Sequence, residues 1–140
     1  MIRIGKVTGI YPDEGKVQVY YEDINTTAEK LPLMTFNKEY EMPEVGDIVL
    51  SVHMDNDAST GFVLGTYYNE TVKPPTDGTK YLKEMLKDKA KVECKNDTLK
   101  ITAPKIEFVA GNSKVELEEN IIRITSPTVK IITDNGTTTY

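Results

Sequence analysis

Few residues of this chain have the chemistry for catalysis, and their spacing argues against each in turn. A single His, His53, and a single Cys, Cys94, leave no zinc-type ligand set and no internal disulfide. His53 stands one residue out of phase with Ile48, Leu50, Val52 and Met54, whose alternation marks one face of a half-buried strand. That phase predicts an imidazole directed at solvent or at a subunit contact. Cys94 shares a strand face with Val92 and is expected to be a small core residue, not a reactive thiol. Asp55-Asn56-Asp57-Ala58-Ser59 opens like a calcium loop. Thr60 then stands where that loop needs Gly, and Thr66 where it needs a bidentate Glu. The Asn-x-Thr matches at Asn25, Asn69, Asn96 and Asn135 lack an accompanying secretory signal, so they read as chance. Glu118-Glu119 falls at an expected turn, and no Gly-x-Ser-x-Gly or phosphate loop occurs. The expectation is a protein with no catalytic residue, no metal site and no cofactor.

The elements that would have to position any site are short strands in two differently charged halves. The 140 residues carry 17 Lys and Arg against 22 Asp and Glu, a net charge of -5, with 39% hydrophobic residues. That balance suits a globular fold and disfavours nucleic acid or an anionic membrane as a partner. No apolar run approaches the ~18 residues that a membrane span needs. Residues 1–73 hold 6 basic and 12 acidic side chains, whereas residues 74–140 hold 11 and 10. Between them Lys73-Pro74-Pro75-Thr76-Asp77-Gly78 interrupts any sheet ladder. The predicted division is a barrel over 1–70, a linker with a short helix over 71–90, and a repetitive β-region over 91–140.

In the first part, Ile2 to Tyr11 is strand-like, with Gly5 and Gly9 as bends or bulges. Lys16 to Tyr21 alternates with Val17, Val19 and Tyr21 on one face. With Ile48 to Met54 and Thr60 to Tyr68, the spacing suits a small closed barrel. In the linker, Thr79 as a cap and the pairs Tyr81/Met85 and Leu82/Leu86 predict a helix of two or three turns.

The last part repeats itself. Lys91-Val92-Glu93-Cys94 recurs 23 residues later as Lys114-Val115-Glu116-Leu117, and Ile101-Thr102-Ala103-Pro104 as Ile124-Thr125-Ser126-Pro127. Each unit is three short strands with two apolar residues at period two. These are Val92 and Cys94, Leu99 and Ile101, then Ile106 and Phe108. In the second unit they are Val115 and Leu117, Ile122 and Ile124, then Val129 and Ile131. So few inward residues enclose no core within one repeat, because repeat units need neighbours to cover them. Two solutions stand open: three chains winding about one axis, or two three-stranded sheets packed within one chain.

This order of parts resembles the baseplate assembly protein V family, the trimeric central spikes of contractile phage tails and R-type bacteriocins, related to type VI secretion spikes. The likeness is carried by Arg3-Ile4-Gly5-Lys6-Val7-Thr8, Lys16-Val17-Gln18-Val19, Leu31-Pro32-Leu33, Pro43-Glu44-Val45-Gly46-Asp47-Ile48-Val49-Leu50 and Gly61-Phe62-Val63-Leu64-Gly65, followed by the strand repeat. The resemblance implies a mainly β fold: an OB-fold barrel, then a triple-stranded β-helix formed by a homotrimer, with the twelve repeat positions as its core. It implies a mechanical, membrane-piercing role in a virion baseplate or bacteriocin particle assembled in the bacterial cytoplasm. Implied partners are a tail hub or tube-initiator protein, a tip-capping protein and, transiently, the target-cell envelope. Many such spikes hold iron at the tip through a His-x-His. No His lies in residues 92–140, so the expected tip is metal-free, closed by Val129 and Ile131, with residues 137–140 frayed or seating a cap. The alternative is a single-stranded nucleic-acid-binding OB-fold with Tyr20, Tyr21, Tyr67 and Tyr68 as stacking platforms. A barrel at net -6 lacks the basic groove which that role needs.

Overall fold

The computed structural model describes all 140 residues, and the chain divides into two compact units, Met1–Pro74 and Pro75–Tyr140. Thirteen strands and two single-turn 3-10 helices make up the regular structure, so the fold is mainly β, in several antiparallel sheets.

The first unit is one five-stranded sheet. Its strands are β1 (Ile2–Tyr11), β2 (Lys16–Tyr21), β3 (Thr26–Pro32), β4 (Ile48–Val52) and β5 (Phe62–Thr66). They are hydrogen-bonded in the order β3-β2-β1-β4-β5. The outer strands then meet: Leu33 pairs in parallel with Val63, and the Met34 amide donates to the Val63 carbonyl at 2.9 Å. The core inside this curl is Val7, Val17, Val19, Tyr21, Ala28, Leu31, Val49 and Val63. Val17, Val19 and Tyr21 point inward together because β2 alternates strictly, in the phase its sequence predicts. Of the two glycines expected to mark bends, Gly9 adjoins a register shift between β1 and β2. Gly5 serves another purpose. A Cβ there would lie 2.4 Å from Val19 Cγ1 and 2.8 Å from the Tyr21 ring, so the missing side chain is what admits the ring.

Strand β4 departs from the expected phase. Val49 and Ser51 are buried, His53 just beyond the strand is buried with them, and Met54 is exposed. The sequence reading took the more apolar face, Ile48, Leu50, Val52 and Met54, as the inner one. The reason for the inversion is Tyr21, whose hydroxyl enters the barrel interior and requires polar partners from the facing strand.

The second unit is three small sheets. β6 (Tyr81–Leu86), β7 (Ala90–Lys95) and β8 (Thr98–Thr102) form the first meander. β9 (Lys105–Ala110), β10 (Ser113–Glu118) and β11 (Ile121–Thr125) form the second. β12 (Lys130–Thr133) and β13 (Gly136–Thr139) form a hairpin. The bounds of β7 and β8 recur 23 residues on as those of β10 and β11. The repeat groups one strand earlier than its apolar pairs suggested, because β9 hydrogen-bonds to β10.

Two expectations are corrected here. The predicted helix over Thr79–Lys89 is β6 followed by a turn at Lys87–Lys89, with Asp88 at φ 57. A helix this short gains nothing without a packed face, whereas as a strand the segment satisfies its backbone on β7. A register shift between Glu84 and Leu86 brings Leu86, opposite Ala90, onto the face that Tyr81 occupies. Residues 137–140 are not frayed: Thr137 to Thr139 lie in β13, and Tyr140 exchanges both backbone hydrogen bonds with Val129, at 2.8 and 3.2 Å.

Gly5→Ala is expected to destabilise the first unit by about 1–3 kcal/mol, the cost of overpacking a filled core. Urea unfolding of the variant against the wild type measures it.

Candidate functional site

Two constellations stand out, one polar and enclosed, the other apolar and open. The enclosed one is a hydrogen-bonded chain inside the first unit. His53 Nδ1 faces the Thr60 carbonyl at 2.8 Å and must carry the proton that bridges them. In the neutral imidazole Nε2 is then an acceptor, and Ser51 Oγ donates to it at 2.9 Å. Ser51 Oγ in turn accepts from the Tyr21 hydroxyl at 2.8 Å, and the Tyr21 and His53 rings meet edge to face at 5.3 Å. Gly61 makes this approach possible: at φ 129, a Cβ there would fall 2.0 Å from the Val52 carbonyl oxygen. Burial pushes the Tyr21 phenol above its ordinary pKa, so it stays a donor. His53 is 3% exposed, which overturns its expected outward direction. Tyr21 is wholly buried and offers no stacking surface to a base. Although a Ser beside a His is the pairing used for nucleophilic attack, Ser51 is as deeply buried as the core valines. This chain of groups is a structural one.

The open constellation contains ten of the twelve repeat positions. Cross-strand register places Val92 opposite Ile101 and Cys94 opposite Leu99, so all four share one face of the first meander. Tyr81, opposite Cys94, joins them; sequence reasoning missed it by assigning that segment to a helix. In the second meander Val115 lies between Phe108 and Ile124, and Leu117 between Ile106 and Ile122. Those six side chains form a continuous apolar ladder. It is not covered: Phe108, Ile122 and Ile124 are exposed, Ile122 to 72%, as are Leu99 and Ile101 in the first meander. The two meanders therefore do not close on each other to hide these faces. Val129 and Ile131 stand apart from both, in the terminal hairpin, with Ile131 opposite Thr138.

The reverse face of the second meander is a saturated ion-pair network. Lys105 Nζ reaches Glu107 at 3.0 Å, Glu116 at 2.9 Å and Glu118 at 3.6 Å. Lys114 adds a second bond to Glu116 at 3.0 Å, and Arg123 binds Glu118 at 2.8 Å. Glu116, only 7% exposed, has its carboxyl held down to about 2 by the Lys105 and Lys114 hydrogen bonds. The same bonds push the Lys105 ammonium upward. In the first meander Lys91 pairs with Glu93 at 2.9 Å and Lys95 with Asp77 at 2.9 Å. Asp77 also accepts from Thr79, and these bonds hold its carboxyl well below the usual range. In each meander the ion pairs gather on one face and the repeat's apolar residues on the other, where the first meander also carries Lys83, opposite Val92.

No protein-family model matches the chain, and no curated protein matches it. The repeat faces must speak for themselves.

Two outcomes follow from this geometry. Ser51→Ala is expected to cost about 1–3 kcal/mol, because it strands the Tyr21 hydroxyl and His53 Nε2 together. Adding Tyr21→Phe is expected to return part of that loss in urea unfolding. For Glu116 the folded pKa lies below its ordinary 4.5, so its stabilisation is present above pH 4.5 and lost as pH falls towards about 2. Glu116→Gln is expected to be less stable at pH 7 and flatter over that acid range, followed by thermal unfolding at a series of pH values.

Proposed function

We infer that this protein is a mechanical element, a homotrimeric central spike of a contractile tail in a phage or phage-derived bacteriocin. The observation that carries this reading is the bare apolar ladder of Ile106, Phe108, Val115, Leu117, Ile122 and Ile124, matched by Val92, Cys94, Leu99 and Ile101 one repeat earlier. An apolar face with a charge-saturated reverse side has one stable use, which is burial against other apolar faces. Residues 74–140 carry a net charge of only +1, so copies approach one another with little repulsion. Three such faces turned to a common axis make a dry interior and leave the ion pairs in water.

The first unit supports the same reading. Five strands in the order β3-β2-β1-β4-β5, closed in parallel from Leu33 to Val63, fit an OB-type barrel. In the spike it is the half that docks on a tail hub or tube-initiator protein, while the repeats form an intertwined shaft. Such a device works by stiffness and a narrow end, not by chemistry. The nucleic-acid alternative loses Tyr21 as a stacking surface and retains the acidic barrel.

The solution mass is expected to be three times 15.7 kDa by light scattering. A monomer at micromolar concentration overturns the proposal. Ile124→Asp places a carboxylate on the apolar ladder and is expected to dissociate the trimer. Thr125→Asp, opposite Lys114 on the charged face, is expected to leave the mass unchanged. Equal effects from the two would show that the ladder does not face the axis.

A further inference from the structure

Strand β4 is built inside out. The side chains it turns into the barrel are Val49 and Ser51, with His53 following, while Ile48, Leu50 and Val52 face outward. The ladder sets Ile2 opposite Val52 and Ile4 opposite Leu50 on β1, and Phe62 opposite Val52 on β5. Directly opposed side chains sit roughly 4.5–5.5 Å apart at Cβ, so Ile2, Ile4, Leu50, Val52 and Phe62 form one continuous patch across three strands. Ile2 is 66% exposed and Ile4 56%. Neither side chain contributes to the barrel core. A contiguous apolar surface of this kind marks an interaction site.

The charges around the patch select its occupant. Asp47 precedes β4, and Asp55 and Asp57 occupy the turn that follows it; the cations beside the patch are Lys6, opposite Ile48, and the Met1 ammonium, which donates to the His53 carbonyl at 2.9 Å. The whole segment to residue 73 carries 12 acidic and 6 basic side chains. A second copy would bring the same excess of negative charge to the contact, and like charges facing each other are costly. We propose that the outer face of β1, β4 and β5 docks a different protein, one that presents an apolar surface rimmed by Lys or Arg. This surface is separate from the repeat ladder and does not depend on the spike reading.

Methyl NMR of the full-length chain tests it, with three synthetic peptides as probes: alternating Lys and Leu, the same with Ser for Leu, and the same with Glu for Lys. The Lys-Leu peptide is expected to shift the Ile2, Ile4, Leu50 and Val52 methyl signals. The other two are expected to bind at least about tenfold more weakly, a difference of roughly 1.4 kcal/mol. Added salt is expected to weaken the first. Ile4→Asp with Leu50→Asp is expected to abolish the shifts. Ile4→Thr with Leu50→Thr keeps strand-compatible residues and is expected to weaken binding while the Val49 and Val63 signals stay in place. Equal binding of the Lys-Ser peptide overturns the proposal, as do shifts confined to other residues. It is also overturned if these substitutions lower the mass of the wild-type assembly, since a second copy would then be the occupant.

Discussion

Everything in the second unit depends on the two-residue period of an extended strand. Successive side chains leave opposite faces, and antiparallel register stacks like upon like from strand to strand. In the second meander this sorts Ile106, Phe108, Val115, Leu117, Ile122 and Ile124 to one side, and Lys105, Glu107, Lys114, Glu116, Glu118 and Arg123 to the other. The ion pairs satisfy one another within the sheet, and only Val109 and Ile121 interrupt that side with exposed hydrocarbon. The hydrocarbon side has no such internal remedy, because three strands are too few to curl over themselves. The proposed assembly rests on that asymmetry.

The first unit solves the opposite problem. Its sheet is long enough to meet itself at Leu33 and Val63, and closure gives it a core of its own. Within that core a Tyr hydroxyl, a Ser hydroxyl and an imidazole form one unbroken chain ending on the Thr60 carbonyl. Once Tyr21 is inside, every group it touches is committed. Ser51 and His53 must face inward, and the remaining apolar residues of β4 are forced to the outside. The apolar patch is thus a result of that internal choice.

Alternation was the legible part of the sequence. It located the β2 core residues and the two-residue apolar pairs of the repeat. It failed at β4 because both phases of that strand are plausible by hydropathy, and the decision belongs to Tyr21, some thirty residues away. It failed again at Tyr81–Leu86, where pairs four residues apart suit one face of a strand as well as one face of a helix, and the partner strand β7 decides between them. The grouping of strands into sheets was equally hidden. Val115 and Phe108 are partners through hydrogen bonds that periodicity does not record. The enclosed polar chain left a faint signal, the polar pair Ser51 and His53 at period two with Val49.

The meanders also differ from the barrel in how far apart along the chain their partners lie. Every ladder in the second unit joins consecutive strands, and the turn from β7 to β8 is two residues, Asn96 and Asp97, both left-handed at φ 48 and 64. That turn suits a tight hairpin and fixes its register at once. The barrel instead waits for β1 to find β4 and for residue 33 to find residue 63. Local pairing is fast and distant pairing slow. The first unit leaves the ribosome before them, and each meander then takes shape as soon as its own strands emerge, with its hydrocarbon already bare. The unpaired lifetime of that surface is then set by how soon another molecule arrives, which makes the rate of synthesis a variable in the protein's own solubility.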